Sequence, residues 1–272
     1  MSIPDSGDFD HARAPYPAPQ MTPPAGPVRL FRWYDVLLMG LILLLSQFIP
    51  GLVAGGVGLL TGTLTMENAS SGNLPTTVIM TAVAGSGIVM VLGCILLRSM
   101  RRLDWSTLGV RATTGRALLA AVLAFIIYIV IAEGIGRLID IDPEGELARD
   151  LIQQLIPANA SLTFLILAVA FIGVIVPAAE ELLFRGFLIT WLRERTNAVI
   201  AVIVSAAIFA VVHGYFMTAE VEFGLFATAQ IFVLGVLLGW LAVWSRSLWP
   251  PIVLHIINIS VSIAVAIWGA PV

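Results

Sequence analysis

The sequence contains no lysine, a single cysteine and few charged residues of either sign. All 14 basic residues are arginine, which we attribute to genomic base composition and not to chemistry. Because Cys94 is the only cysteine, a disulfide within one chain is excluded and a cysteine-based zinc site is not expected. Charged residues make up only 11% of the chain and apolar residues 59%, whereas soluble domains carry about 25% charged residues. This composition indicates a polytopic membrane protein.

The first 32 residues differ from the rest of the chain because they are rich in proline and alanine and have no apolar period. This composition predicts a disordered, partly polyproline tail. The segment has no apolar core of the kind that signal peptides contain. Residues 33–272 are predicted to form the membrane-embedded domain.

Seven apolar runs follow, each near the roughly 20 residues that a spanning helix needs. They predict an all-α, polytopic transmembrane bundle of about seven spanning helices, with six or eight as alternatives. The fourth run can continue as a helix to Arg195. The runs cover residues 34–60, 76–97, 117–139, 161–183, 198–216, 225–244 and 249–269.

The arginines favour one orientation of this bundle. With the N-terminus inside, all but three arginines fall in inner segments; Arg137 and Arg149 are outside, and Arg185 lies within the membrane. The positive-inside rule therefore predicts a cytoplasmic N-terminus and an external C-terminus. We expect an integral protein of a bacterial plasma membrane.

The stretch "PAAEELLFRGF" places three ionisable residues in an apolar run. A charge at mid-membrane costs on the order of 3 kcal/mol or more, so such residues pair, face water or have a function. Glu181 and Arg185 are four residues apart and can form an ion pair on one helix face, which leaves Glu180 without a local partner. This suggests a chemical role for Glu180 and a structural one for Glu181. The alternative is that all three reach water at the membrane interface.

Two histidines and one asparagine also lie in apolar surroundings. His213 follows Phe209 by four residues, and His255 precedes Asn258 by three, so each pair shares a helix face. Taken singly, each is equally well explained by hydrogen bonds between helices.

Estimated depths place Glu180, His213 and His255 in one layer, and we predict that their side chains converge within roughly 6 Å of a common point. Two imidazoles and a carboxylate can hold a divalent ion or polarise a water, and a free glutamate is a candidate general base. The Asn258 amide could donate to an oxyanion. Together these groups predict hydrolysis of an amide inside or beside the bilayer.

At these residues the sequence resembles the CPBP family of intramembrane proteases, which includes CAAX prenyl endopeptidases of the Rce type and bacterial Abi proteins linked to bacteriocin immunity. "EELLFR" matches the motif EExxxR, "FAVVH" matches FxxxH, and "HIIN" resembles the third motif, within a catalytic core over residues 161–262.

The resemblance implies specific roles for these residues. Glu180 would be the water-activating base, Glu181 and Arg185 its supports, and His213 and His255 catalytic or metal-binding groups. Together with Glu180, the histidines would hold a divalent metal, with zinc the first expectation and a metal-free mechanism the alternative. The family usually has Asn or Asp four residues after the last His, where this chain has Ile259, so whether Asn258 substitutes is open.

We therefore predict an intramembrane endopeptidase that acts on a membrane-associated protein or peptide, with no nucleic-acid partner. The alternatives are a non-catalytic scaffold or bacteriocin-immunity-type protein that binds a membrane partner, and a transporter. The intact Glu180, His213 and His255 favour the enzyme. Other types of intramembrane protease fit the sequence less well. It lacks the HExxH motif of the site-2 type and the GxGD motif of the presenilin type, and "AGSG" at residues 84–87 lacks the first glycine of the rhomboid pattern.

Overall fold

In the computed structural model, which describes residues 29–71, 74–138, 156, 160–217 and 221–268, the protein is built from helices, with no strand in those residues. Arg149, which is predicted to lie outside the membrane, and most of the predicted tail fall outside the described residues. The helices are α1 (Asp35–Thr61), α2 (Met66–Ser71), α3 (Thr76–Arg101), α4 (Gly115–Leu138), α5 (Leu162–Arg193), α6 (Ala198–Val212), α7 (Val221–Ser245) and α8 (Trp249–Trp268).

Five of these helices, α1, α3, α4, α5 and α7, are long and apolar enough to cross a membrane, while α6 and α8 are shorter apolar helices. The predicted all-helical polytopic bundle is confirmed, and the seven apolar runs correspond to seven helices. Many large apolar side chains on the outside of the bundle are exposed, such as Leu52 and Leu60 on α1. Such an outer surface suits lipid as the surrounding solvent.

Helix α5 is not a regular α-helix along its length. Two π-helical segments, Val169–Ile175 and Leu182–Leu188, flank a short α-helical segment, Val176–Glu181. Pro177 has no N–H to give to the carbonyl four residues before it, and the backbone preceding it is π-helical. The carbonyl that lacks a partner at Pro177 therefore lies in a π segment, and the irregular stretch brackets the two glutamates.

Glycines allow close contact between neighbouring helices. A Cβ atom added at Gly85 of α3 would lie 2.7 Å from the Cβ atom of Pro50 in α1, and one at Gly235 of α7 would lie 3.1 Å from the Ala206 Cα atom in α6. The Gly235-xxx-Gly239 spacing therefore serves close packing of α7 on α6.

The N-terminal ends of α1 and α8 lie at the same end of the bundle as the C-terminal ends of α3, α5 and α7, and we call it the arginine-rich end. Arg101 Nε, on α3, donates to Asp35 Oδ1, on α1, at 2.9 Å. Glu194, just after α5, accepts the Leu30 N–H at 2.7 Å.

Residues 30–32, which the sequence assigns to the tail, are fixed at this end. Phe31 is 2% exposed and packs edge-on against Phe187, with ring centroids 6.1 Å apart. Trp191 Nε1 donates to the Arg32 carbonyl at 2.9 Å, and Arg195 Nη2 donates to the Phe31 carbonyl at 2.9 Å. These contacts hold the segment just before α1 against the C-terminal end of α5.

Candidate active site

The predicted site residues come from three helices that meet inside the bundle. Glu180 and Glu181 end the α-helical segment of α5, and Arg185 follows in its second π segment. His213 caps the C-terminus of α6, and His255 lies in α8. The structure brings Glu180, Glu181, Arg185 and His255 into direct contact.

Glu181 is the centre of the buried part of the site. Its Oε1 atom lies 3.0 Å from Arg185 Nη1 and 2.9 Å from His255 Nδ1, and its side chain is fully buried. The ion pair at i,i+4 is therefore formed, as its spacing predicts. The contact with His255, 74 residues away, was not predicted. It makes Glu181 the group that orients an imidazole as well as the partner of an arginine.

Glu180 has a different environment although it is the neighbouring residue. Its Oε2 atom lies 3.7 Å from His255 Nε2, and its side chain is 15% exposed where that of Glu181 is not exposed at all. A distance of 3.7 Å is too long for a direct hydrogen bond. Glu180 is thus the carboxylate that an incoming molecule can reach, and it faces the second nitrogen of the imidazole that Glu181 holds.

The hydrogen-bond partners assign the tautomers of both histidines. His255 Nδ1 faces a carboxylate oxygen, and His213 Nδ1 lies 2.7 Å from the Phe209 carbonyl oxygen. An acceptor at Nδ1 places the proton on that nitrogen, so the neutral ring keeps a lone pair at Nε2. Both imidazoles therefore present Nε2 as an acceptor or metal ligand.

Phe209 connects the groups of the site. Its ring centroid lies 4.5 Å from that of His213 and 5.9 Å from that of His255, both edge-on. The Arg185 guanidinium lies 4.5 Å from the centre of the same ring. The shared face of Phe209 and His213 was expected, but the role of Phe209 as the common neighbour of His213, His255 and Arg185 depends on helix packing that spacing within one helix does not reveal.

Arg185 ties α5 to α7. Its Nη2 atom donates to the Gly235 carbonyl at 3.2 Å, and its side chain is fully buried. The Cβ position of Gly235 faces Ala206 of α6, so the same residue contacts α5 through its carbonyl and packs on α6 where a side chain would stand. The acceptor is a backbone atom, so no side-chain motif marks it in the sequence.

No hydrogen bond among the described residues connects Asn258 to the other site residues. Its carbonyl accepts from Ser262 Oγ at 3.0 Å within α8. Ile259, at the position where the family usually has Asn or Asp, packs against the apolar cluster of Met80, Ala168 and Ile263. The oxyanion role of Asn258 stays a prediction.

The expected metal site can be compared with the residues present. Two imidazoles with free Nε2 atoms and a carboxylate are donors that suit zinc. In the part of the chain that the structure describes, however, no three His, Cys, Asp or Glu side chains are grouped closely enough to hold one ion. The donor chemistry fits a metal, whereas the arrangement does not form a three-ligand site.

A comparison with protein-family models matches residues 162–261 to the family described as type II CAAX prenyl endopeptidase Rce1-like. This part of the chain is similar to the Rce1-like family. The match runs from the start of α5 into α8 and includes all six predicted site residues. The family indicates intramembrane protease activity of the CAAX type, with a protein or peptide substrate, in an integral membrane protein. Comparisons with curated proteins and with solved structures found no match.

Proposed function

We propose that the protein is an intramembrane endopeptidase that hydrolyses a peptide bond of a membrane-associated protein or peptide with Glu180 as general base. The observation that carries this assignment is the difference between adjacent carboxylates. Glu181 is fully buried between Arg185 and His255, while Glu180 is 15% exposed and faces His255 Nε2 at 3.7 Å. A general base must be reachable by the water it activates.

The two acceptors, Glu180 Oε2 and His255 Nε2, can share one water, each receiving one of its hydrogen bonds. Glu180 takes a proton as the water oxygen adds to the scissile carbonyl carbon. The proton then passes from Glu180 to the amide nitrogen, the C–N bond breaks, and a carboxylic acid and an amine leave. Glu181 keeps the proton of His255 on Nδ1, which maintains the lone pair at Nε2.

The test is a comparison of membrane fractions that contain the wild type, Glu180→Gln or Glu181→Gln, with fragments identified by mass spectrometry. Glu133→Gln on α4 is the control, because that carboxylate is partly exposed and forms only a loose pair with Arg137 at 3.6 Å. We expect fragments with the wild type and the control and none with Glu180→Gln, at equal protein levels.

Two outcomes would contradict the assignment. If Glu180→Gln still yields fragments while Glu181→Gln abolishes them without loss of stability, the base is Glu181. If Glu180→Gln fully replaces the wild type in cells that depend on the protein, the non-catalytic scaffold is the better function.

The proposal also includes a bound divalent metal ion, for which zinc is the first expectation. Glu180, His255 and His213 carry suitable donor atoms, but they would have to move closer together than in the described residues to hold one ion, which would supply Lewis-acid chemistry when bound. The purified protein would then contain about one zinc per chain by emission spectrometry, and His255→Ala would contain much less. Equal metal content in wild type and His255→Ala would count against a metal at this site.

We also propose the orientation with the arginine-rich end in the cytoplasm. Three inner segments of the predicted topology supply arginines that contacts gather at this end: Arg101 and Arg111 come from one segment, Arg193 from the next and Arg246 from the last. The excess of arginine on one side supports this orientation.

A further inference from the structure

A pocket of about 260 Å³ lies at the arginine-rich end, separate from Glu180, His213 and His255. We call it the arginine pocket. Three exposed arginines from three separate segments line it: Arg111 from the loop between α3 and α4, Arg193 from the last turn of α5, and Arg246 from the turn between α7 and α8. Its wall also includes Arg185 of α5.

Hydrogen bonds fix two of these arginines in place. The Leu248 N–H donates to the Gly109 carbonyl at 2.9 Å, and Ser247 Oγ donates to the Arg111 carbonyl at 2.9 Å. Arg111 Nε donates to the Arg246 carbonyl. These hydrogen bonds join the α3–α4 loop to the α7–α8 turn, and they place the guanidinium groups of Arg111 and Arg246 in one wall of the pocket.

This arrangement brings positive charges together without an acidic partner. None of Arg111, Arg193 and Arg246 forms an ion pair with an acidic side chain in the described segments. Arg246 also has φ of +55°, in the left-handed region that usually takes glycine after a helix. The positive-inside rule explains arginines at this end, but it does not explain why backbone hydrogen bonds gather them around a cavity.

A fourth arginine adds positive charge behind the same wall. Arg185 lies in the pocket wall, its side chain is fully buried, and its Nε–H has no hydrogen-bond partner among the described residues. A buried donor without a partner is costly, and such donors are usually satisfied by water or a bound group.

We propose that the arginine pocket binds the phosphate group of an anionic phospholipid headgroup. Arginine suits phosphate because its planar fork donates two parallel hydrogen bonds. Trp244 and Trp249, 54% and 48% exposed, flank Arg246 in the chain. Exposed tryptophans mark the headgroup level of a membrane, and basic pockets at that level bind anionic headgroups. A lipid is therefore the source of phosphate that this depth favours.

The experiment measures the melting temperature of the full-length purified protein in detergent, titrated with phosphatidylglycerol, phosphatidylcholine or inorganic phosphate. Phosphatidylcholine carries the same phosphate with a cationic choline, so it tests the need for net negative charge. We expect phosphatidylglycerol alone to raise the melting temperature in a saturable way. Equal stabilisation by phosphatidylcholine, or saturation by inorganic phosphate alone, would overturn the lipid assignment.

Arg246→Gly is the informative variant, because glycine accepts the left-handed backbone while the guanidinium is lost. Arg102→Gly is its matched control: Arg102 is exposed, lies at the same end, has φ of +51° and does not line the pocket. We expect Arg246→Gly to raise the phosphatidylglycerol concentration at half-maximal shift about tenfold, a loss typical of one charged contact. Arg102→Gly is expected to leave it unchanged.

If both glycine variants weaken the lipid effect equally, general charge attraction explains it and the pocket does not. Should Arg246→Gly fail to accumulate, Arg193→Gln on the exposed last turn of α5 serves in its place and carries the same expectation.

Discussion

Replacing Arg185 with methionine is predicted to destabilise the protein strongly, because it leaves Glu181 buried without its cation. Methionine keeps the apolar contacts with Phe209 and removes the charge. The loss includes the Nη1 contact to Glu181 at 3.0 Å, the Nη2 contact to the Gly235 carbonyl at 3.2 Å and the stacking on the Phe209 ring.

The magnitude follows from burial. Both side chains of the pair are 0% exposed, and breaking a buried pair from one side costs roughly 3–5 kcal/mol. His255 Nδ1 remains as a partner of Glu181 at 2.9 Å, which favours the lower part of that range. For a chain of this size each kcal/mol corresponds to about 2–4 °C, so we expect a fall in melting temperature of roughly 6–20 °C.

The assay is thermal unfolding of the purified protein in detergent, followed by the fluorescence of its 7 tryptophans. The control is Arg137→Met, which breaks a second glutamate–arginine pair at i,i+4 whose arginine is 82% exposed. Exposed pairs contribute about 0–1 kcal/mol, so this variant should melt within a few degrees of the wild type.

The double variant Glu181→Gln with Arg185→Met should recover part of the loss, because it removes both charges while the glutamine oxygen still accepts from His255. The reasoning is refuted if Arg185→Met melts like Arg137→Met, or if the double variant is less stable than Arg185→Met alone.

Two further predictions concern packing and topology. Gly235→Val should lower the free energy of unfolding by roughly 1–3 kcal/mol through overpacking, because a Cβ atom at that position lies 3.1 Å from the Ala206 backbone. Gly134→Val is the control and should melt like the wild type, because nothing lies within 4 Å of its Cβ position. Equal melting temperatures of the two variants would show that the helix contact at Gly235 is looser than described. A reporter enzyme fused after Val272 should be active only outside the cytoplasm, and cytoplasmic activity would overturn the orientation or the span count.

The positions of the helices could largely be predicted, because the apolar runs that specify them are local features of the sequence. Apolar runs of spanning length gave the ends of α1, α4, α7 and α8 within a few residues. The end of α6 was not found: the run predicts a helix to 216, but the helix ends at Val212 and Gly214 has φ of +72°. The π segments of α5 also escaped prediction, since they depend on how the helix packs as well as on Pro177.

The contacts of the site could be predicted from the sequence only where both residues lie in the same helix. Spacing on α5 predicts the pair of Glu181 with Arg185, and the pair is present. The contact of Glu181 with His255 and that of Arg185 with the Gly235 carbonyl join residues 74 and 50 positions apart. Such contacts are set by how helices cross, and a single sequence does not encode them in any local pattern.

The two π segments of α5 have a consequence for how this chain can change during evolution. Each π turn holds one residue more than the α-helical turn it replaces, and one residue corresponds to about 100° of rotation. A one-residue deletion within Val169–Ile175 can therefore be absorbed by reversion to α-helix, leaving the segment Val176–Glu181 in position. The same deletion within that six-residue segment would turn Glu180 away from His255. Relatives of this chain should accordingly tolerate one-residue deletions within Val169–Ile175 and none between Pro177 and Arg185.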